Sequence, residues 1–316
     1  MVDRARVFTL HAMRYHRLDL NLLPALRALL TEKNVTRAGD SLHVTQSAMS
    51  GILARLREFF DDPLIVSVGR KMELTPLAES LVDKVNDLLV QVDSTLASRP
   101  DFLPANSQRH FSIVSSDYTV SVLLLDVLRR LHVEAPNVTI AIRQPGDATL
   151  PDLEAGDLDF HISPMGQLSD NHPSAVLFED SFCAVVDRGN DRVGDSLTVE
   201  QYLSLSHVGF EYKGLPMFDR WFARMHSDRR RDVSVGQFNL LAPMVVGTQR
   251  VATLHTRLAM RACELLPVRM VQLEFETPRF ANLIQWHRYR DLDPGSIWLR
   301  DKIIACALAM PPLPRP

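Results

Sequence analysis

Thr45, Gln46, Ser47 and Ser50, followed by Arg55 and Arg57, put the donors and acceptors of nucleic-acid recognition on one short stretch of chain. A glutamine amide can pair two hydrogen bonds with adenine, hydroxyls suit phosphates or base edges, and guanidinium groups neutralise backbone phosphates. Thr36 upstream adds another hydroxyl, and Arg70, in Gly69-Arg70-Lys71, would reach an adjacent minor groove. Taken singly, Gln46 and Ser50 are also compatible with solvated positions, and Arg57 with pairing to Asp61 or Asp62. Enzymatic chemistry finds no foothold: there is no Gly-x-Ser-x-Gly elbow, no phosphate-binding loop and no Cys/His cluster at metal-ligand spacing. The 11 histidines are dispersed, and His161, His207 and His287 fall in apolar runs where core or pocket roles are expected. No metal or resident cofactor is expected.

Such side chains read DNA only if a helix presents them. Leu22, Leu23, Leu26, Leu29 and Leu30 recur at helical spacing and predict a first helix. After the break at Lys33-Asn34-Val35, Thr36 is the expected N-cap of a second helix with apolar contacts Ala38 and Leu42. His43-Val44-Thr45 reads as a turn, and a third helix is expected from Gln46 to Phe60 with Ala48 and Ile52 inward. Ala38 and Gly39 fit the close contact of a helix-turn-helix, and Leu42 and Val44 fit beneath its turn. Residues 64–68 and 72–75 around Gly69 predict a β-hairpin wing. Thr75-Pro76 then opens a helix whose Leu81, Val85, Leu88 and Val92 form an a/d seam. With no other element at this end to cover it, the seam is assigned to dimerisation.

Two prolines within residues 99–107 end that helix and mark a boundary. The expected domains are a winged helix-turn-helix at 18–75, a linker helix at 76–98, and an α/β effector-binding domain at 107–310 with a second lobe at about 181–280. In the last, strands at 111–114, 138–142, 158–162, 182–186, 207–210, 233–235, 250–254, 270–273 and 281–287 are interleaved with helices, which predicts parallel sheets. Ligands of two-lobed α/β domains sit between the lobes, at strand carboxyl ends and helix N-termini. Ser115, Ser116, Asp117 and Tyr118 end one strand and open a helix, Ser163 ends another strand, and Phe210 and Thr248 are assigned the matching places in the second lobe. Ser115 and Ser116 are equally compatible with simple helix capping. Glu179-Asp180-Ser181 and Glu211-Tyr212-Lys213 are further places to seek polar contacts.

Composition bounds what remains. The 316 residues are 46% hydrophobic and 23% charged, which fits a soluble chain of two or three domains. No apolar run reaches the roughly 18 residues that cross a bilayer, and the arginine-bearing start carries no apolar core of a secretory signal. Cys183, Cys263 and Cys306 are odd in number and far apart, which argues against a disulfide framework and for a reducing cytoplasm. Net charge is −3, yet residues 1–75 hold 11 basic and 8 acidic side chains. That asymmetry fits a DNA-binding end on an acidic body, and ordinary scatter equally well.

Asp19-Leu20-Asn21-Leu22-Leu23, Asn34-Val35-Thr36-Arg37-Ala38, Thr45-Gln46-Ser47-Ala48-Met49-Ser50, Ala54-Arg55-Leu56-Arg57 and Leu74-Thr75-Pro76-Leu77-Ala78 resemble the N-terminal signature of LysR-type regulators, in register across residues 18–97. Gly39, where that family favours alanine, and Ser47, where it favours proline, depart from the pattern. More loosely, residues 153–159, Trp286-His287 and residues 293–300 resemble the branch of nodulation activators and regulators of aromatic degradation. The resemblance implies a winged helix-turn-helix and linker helix ahead of a periplasmic-binding-protein-like effector domain. It implies a transcription regulator that binds double-stranded promoter DNA as a homodimer assembling to a homotetramer, with RNA polymerase as a further partner. Relatives in that branch respond to flavonoids, salicylate-like acids or chlorinated phenols, so an aromatic effector is the first expectation. The branch's pocket residues do not transfer, and Trp286 and Trp298 are expected in the core. A small-molecule-binding protein without DNA function would account for residues 107–310 and leave the N-terminal motifs unexplained.

Overall fold

The computed structural model describes residues 18–69, 71–97, 102–164, 166–211, 217–226 and 229–314, the side chains at 94, 96 and 97 apart. Arg70, Tyr212 and Lys213 lie outside the described residues. The chain divides into two compact units, one of residues up to 98 with Glu154–Gly156, the other of residues 99–153 and 157–316.

In the N-terminal unit the leucine period becomes α1 (Leu23–Glu32), which buries Leu26, Leu29 and Leu30. α2 (Val35–Ser41) is capped by Asn34, whose side chain accepts from Arg37 N at 3.0 Å. Thr36 is therefore inside the helix and not its cap: Lys33 closes α1 in the left-handed region, and Asn34 is the extended residue that follows. α3 (Gln46–Phe60) starts from Thr45, whose hydroxyl accepts from Ala48 N at 3.2 Å. Its buried residues are Met49, Leu53 and Leu56, with Ile52 half-buried against the same core as expected, while Ala48, expected inward, is exposed. β1 (Ile65–Val68) and β2 (Lys71–Leu74) pair antiparallel as the wing. α4 (Pro76–Ala97) follows, with the Thr75 hydroxyl accepting from Ala78 N at 3.1 Å and donating to Asp62 at 2.7 Å.

α4 corrects the dimer seam. Val85 is 5% exposed and belongs to the unit's own core, with Leu81 packed beside it, whereas Leu88 and Val92 are 41% and 38% exposed. The α1–α3 bundle itself covers the first half of the stripe.

The C-terminal unit holds two sheets. Its first lobe contains β3 (His110–Ser115), β4 (Thr139–Arg143), β5 (Phe160–Pro164), β6 (Ser174–Asp180) and, returning later, β13 (Phe280–Gln285), in the order β4-β3-β5-β13-β6. The second lobe contains β7 (Phe182–Asp187), β8 (Ser196–Leu197), β9 (His207–Phe210), β10 (Arg231–Val235), β11 (Val251–His255) and β12 (Val268–Leu273), in the order β10-β9-β11-β7-β12-β8. Parallel pairing holds for β4-β3-β5, for β10-β9-β11 and for β12-β8. It fails where β13 meets β5 and β6, and where β7 meets β11 and β12, all antiparallel. These strands carry the chain between lobes, with only Ser181 between β6 and β7. A parallel partner needs a long crossover that such a direct passage does not provide.

A long helix of three segments, Asp117–Thr119, a π-turn at Val120–Leu124 and Leu125–Glu134, packs on the first sheet with α10 (Pro294–Leu308). The helix between β11 and β12, α9 (Thr256–Leu265), serves the second. (α5 to α8 are the segmented helix, Thr149–Glu154, Val199–Ser204 and Met217–Met225.) Trp286 lies in the first lobe's core, and Trp298 packs against it. At the foot of that lobe Asp293 caps α10, accepting from Gly295 N at 3.1 Å and from the Ser296 hydroxyl at 3.0 Å. The same carboxylate meets Arg109 at 2.5 Å and Arg290 at 3.3 Å, and Arg109 reaches Asp159 at 3.3 Å. Among the described residues no helix is long and apolar enough to cross a membrane.

Candidate nucleic-acid interface and ligand cleft

The outer edge of α3 is a polar rim on an apolar base. Gln46, Ser47, Ser50 and Gly51 are exposed, as are Thr36 on α2 and Thr45 at the cap, while Met49 and Leu56 beneath are fully buried. Thr45 and Ser47 share a hydrogen bond of 3.0 Å, so the cap hydroxyl is already engaged in holding the start of the helix. The turn is tight: Val44 N donates to Gly39 O at 3.0 Å, and His43 takes a left-handed φ of 56°. A Cβ on Gly39 would lie 3.0 Å from Val44 O, so even alanine would push the turn by a few tenths of an ångström. Glycine therefore relieves a close contact at the cost of helix propensity.

The two arginines of α3 part company. Arg55 is exposed and meets Asp19 at 3.3 Å, a surface pair that a phosphate can replace. Arg57 Nε donates to Pro63 O at 2.8 Å and its Nη2 to Ile65 O at 3.2 Å. It ties the end of α3 to the entry of the wing through two backbone carbonyls, in place of the expected pair with Asp61 or Asp62. The sequence shows an arginine but not that the turn after α3 and the start of β1 aim the Pro63 and Ile65 carbonyls at it.

In the C-terminal unit a cleft of about 410 Å³ opens between the two lobes. Ser116, Asp117, Tyr118, Ser163 and Phe210 all line it. Ser116 caps the segmented helix, accepting from Thr119 N at 3.4 Å, and Asp117 accepts from Asn239 N at 2.8 Å across the cleft. Ser163 donates to Gln167 at 2.7 Å. Phe210 stacks on Phe238, with centroids 3.8 Å apart. On the floor the Tyr118 hydroxyl donates to Asp180 at 2.5 Å, and its ring stacks on His255 at 4.0 Å. Burial pushes the His255 imidazole down to about 3, so the ring is neutral at physiological pH. Burial likewise raises the Asp180 carboxyl, against the hydrogen bonds that it accepts from Tyr118 and from the Ser181 and Arg257 amides.

Two assignments are corrected. Thr248 is not in the cleft: its hydroxyl donates to Val245 O at 2.9 Å, and it borders a separate hollow with Arg192 and Asp232. It precedes β11 and so sits at that strand's amino end, while the cleft collects carboxyl ends, where His255 stands. Ser115 is fully buried beneath the lining and does not reach the cleft. Gln144, Gln167, Phe238, His255, Phe280 and Asn282 line it and are not among the residues that the sequence singles out. For His255 and Asn282 a signal existed, a polar residue inside or ending an apolar strand. His161, His207 and His287 are buried away from the cleft.

The family model described as bacterial regulatory helix-turn-helix protein, lysR family, matches residues 20–79, and the LysR substrate binding domain matches residues 104–305. Nodulation protein D 2 of Rhizobium tropici is 38% identical over 301 residues, covering 94% of this chain and 96% of that one. A probable transcriptional regulator from Pseudomonas aeruginosa superposes with a TM-score of 0.61 at 27% identity, over 92% of this chain and 97% of the other. A full-length, singly substituted OxyR from the same organism shares the fold at a TM-score of 0.69 and 19% identity, over 95% and 99% of the two chains. The chain belongs to the LysR family of transcription regulators, with a helix-turn-helix domain that binds DNA and a second domain that binds an effector.

Proposed function

We propose that α3 enters the major groove of a promoter half-site while the interlobe cleft takes a small aromatic effector, in a cytoplasmic homodimer that pairs into a tetramer and works with RNA polymerase. In this reading residues 18–75 bind DNA, 76–98 dimerise, and 107–310 sense the effector. The observation that carries it is the division of α3 into a buried Met49/Leu53/Leu56 face and an exposed Gln46/Ser47/Ser50 edge. A helix packed this way is anchored by one face and free to be read along the other.

Duplex-binding isotherms at several salt concentrations test it residue by residue. Gln46→Ala is expected to relax base preference at one position of each half-site by about 1–3 kcal/mol, with the salt slope unchanged. Arg55→Ala is expected to weaken all duplexes alike and to lower the slope by about 0.9 per lost phosphate contact. A uniform affinity loss in Gln46→Ala, with base preference intact, would show that Gln46 does not read a base.

Arg57→Ala separates clamp from contact. It is expected to leave the salt slope unchanged and to destabilise the N-terminal unit by about 1–2 kcal/mol, because two charge-assisted hydrogen bonds to carbonyls are lost. Urea denaturation followed by circular dichroism measures the loss. A parent-like denaturation midpoint together with a reduced slope would return Arg57 to the phosphate contacts.

A further inference from the structure

Most polar groups on the cleft floor are already engaged. Tyr118 donates to Asp180 and Ser163 to Gln167. Asn282, on β13, is an exception: it is 1% exposed, lines the cleft, and its Nδ2 finds no hydrogen-bond partner among the described residues. The amide lies near enough to the Tyr118 oxygen to favour a phenolate there, but without the geometry of a hydrogen bond. His255 Nδ1 in the same lining is likewise without a partner among the described residues. A buried amide donor left unpaired is destabilising where leucine would fit, and such a group in a folded protein calls for an explanation. The rings of Tyr118, Phe238 and Phe280 surround the place where a partner would sit.

We infer that Asn282 sets the specificity of the cleft, its amide donating to a carbonyl or ether oxygen of an uncharged aromatic ligand, which is thereby seated against the Tyr118–Asp180 hydrogen bond at the hinge. The inference rests on the cleft being the effector site. Charge argues for a neutral ligand: Asp117 and Asp147 line the cleft and Asp180 lies behind Tyr118, so a ligand carboxylate would enter beside three acidic side chains. The placement argues for signalling. Asp180 is the last residue of β6, where the chain leaves the first lobe, and it accepts from Ser181 N at 2.8 Å and from Arg257 N at 3.3 Å in the second. Tyr118 belongs to the first lobe, so one carboxylate holds both lobes and lies one side chain away from the ligand.

Calorimetry on the intact chain at neutral pH, with matched pairs of probes, tests this. The pairs are 4-methoxyacetophenone against 4-methoxybenzoate, and flavone against flavone-4′-carboxylate. The uncharged member of each pair, called the ketone below, is expected to bind about tenfold tighter. Asn282→Leu should lose about tenfold in ketone affinity, the order of one hydrogen bond, while its unliganded thermal midpoint equals or exceeds the parent's. Tyr118→Phe should bind the ketones nearly as well as the parent yet lose ketone-dependent transcription. Tighter binding of the carboxylates, parent-like ketone affinity in Asn282→Leu, or an intact response in Tyr118→Phe overturns the inference and leaves the effector cleft standing. Absence of binding by all four probes, or binding indifferent to Phe238→Ala, overturns the cleft itself and the inference with it.

Discussion

Asp293→Ala is expected to destabilise the C-terminal unit by roughly 3–5 kcal/mol, the usual consequence of stripping one partner from a buried ion pair. Asp293 is 1% exposed, and its two oxygens serve Arg109, Arg290, the Ser296 hydroxyl and the first amides of α10. Removing the carboxylate takes from Arg109 and Arg290 the nearer of their two acidic partners, leaving Asp159 as the acid beside them, and uncaps the helix. All three tryptophans, Trp221, Trp286 and Trp298, fall in this unit, so their fluorescence follows its unfolding alone. The midpoint should fall by roughly 6–20 °C for a unit of this size. Asp293→Asn keeps an acceptor for the cap and should lose less. The pH dependence has a definite sign. Burial alone would push the Asp293 carboxyl up, but hydrogen bonds and charge from Arg109, with Ser296 and Arg290, outweigh it and hold the group below its ordinary 3.8. A carboxyl depressed in the fold contributes fully above that ordinary value, and the contribution is lost as pH falls through the lower folded one. A midpoint within about 2 °C of the parent, less than 1 kcal/mol, would mean that the network contributes little.

What could be read from sequence follows the range of the forces involved. α1, α3 and α4 are local products of a leucine period and a cap, and Thr45 and Thr75 sit where a hydroxyl before a helix should. The choice between Asn34 and Thr36 is not legible, because both can cap and the deciding fact is the left-handed turn at Lys33. β6 gives little local signal: its Ala175, Leu177 and Phe178 alternate poorly, and it exists as a strand only because β13 returns beside it. The cleft is half legible. Ser116, Asp117, Tyr118, Ser163 and Phe210 follow from where strands end, a local matter. Thr248 is misplaced because it precedes β11 even in the expected strand at 250–254, so it belongs to the amino end, while the carboxyl end that faces the cleft is His255. Asn282 and Asp180 depend on long-range pairing, since each matters through what another segment brings to it.

The same distinction between local and long-range burial decides what α4 does. Its stripe is continuous in sequence, yet the fold consumes Val85 and half-covers Leu81, and leaves Leu88 and Val92 exposed with Leu77. Apolar side chains at these positions need a partner, and a second copy of α4 offers the same stripe across a two-fold axis. Leu88→Glu with Val92→Glu is therefore expected to lower the mass measured by light scattering at least twofold, with the N-terminal unit still folded. Val85→Glu should instead unfold that unit, because a charge would enter a core position that is 5% exposed. DNA binding magnifies the difference. A linked pair of reading helices binds two half-sites with an advantage of about 10²–10⁴ over one, so the double variant should lose that factor on a two-site duplex and nothing on a single half-site. If the mass is unchanged and two-site affinity is kept, α4 is not the dimer contact, and the exposed Leu88 and Val92 have some other cover.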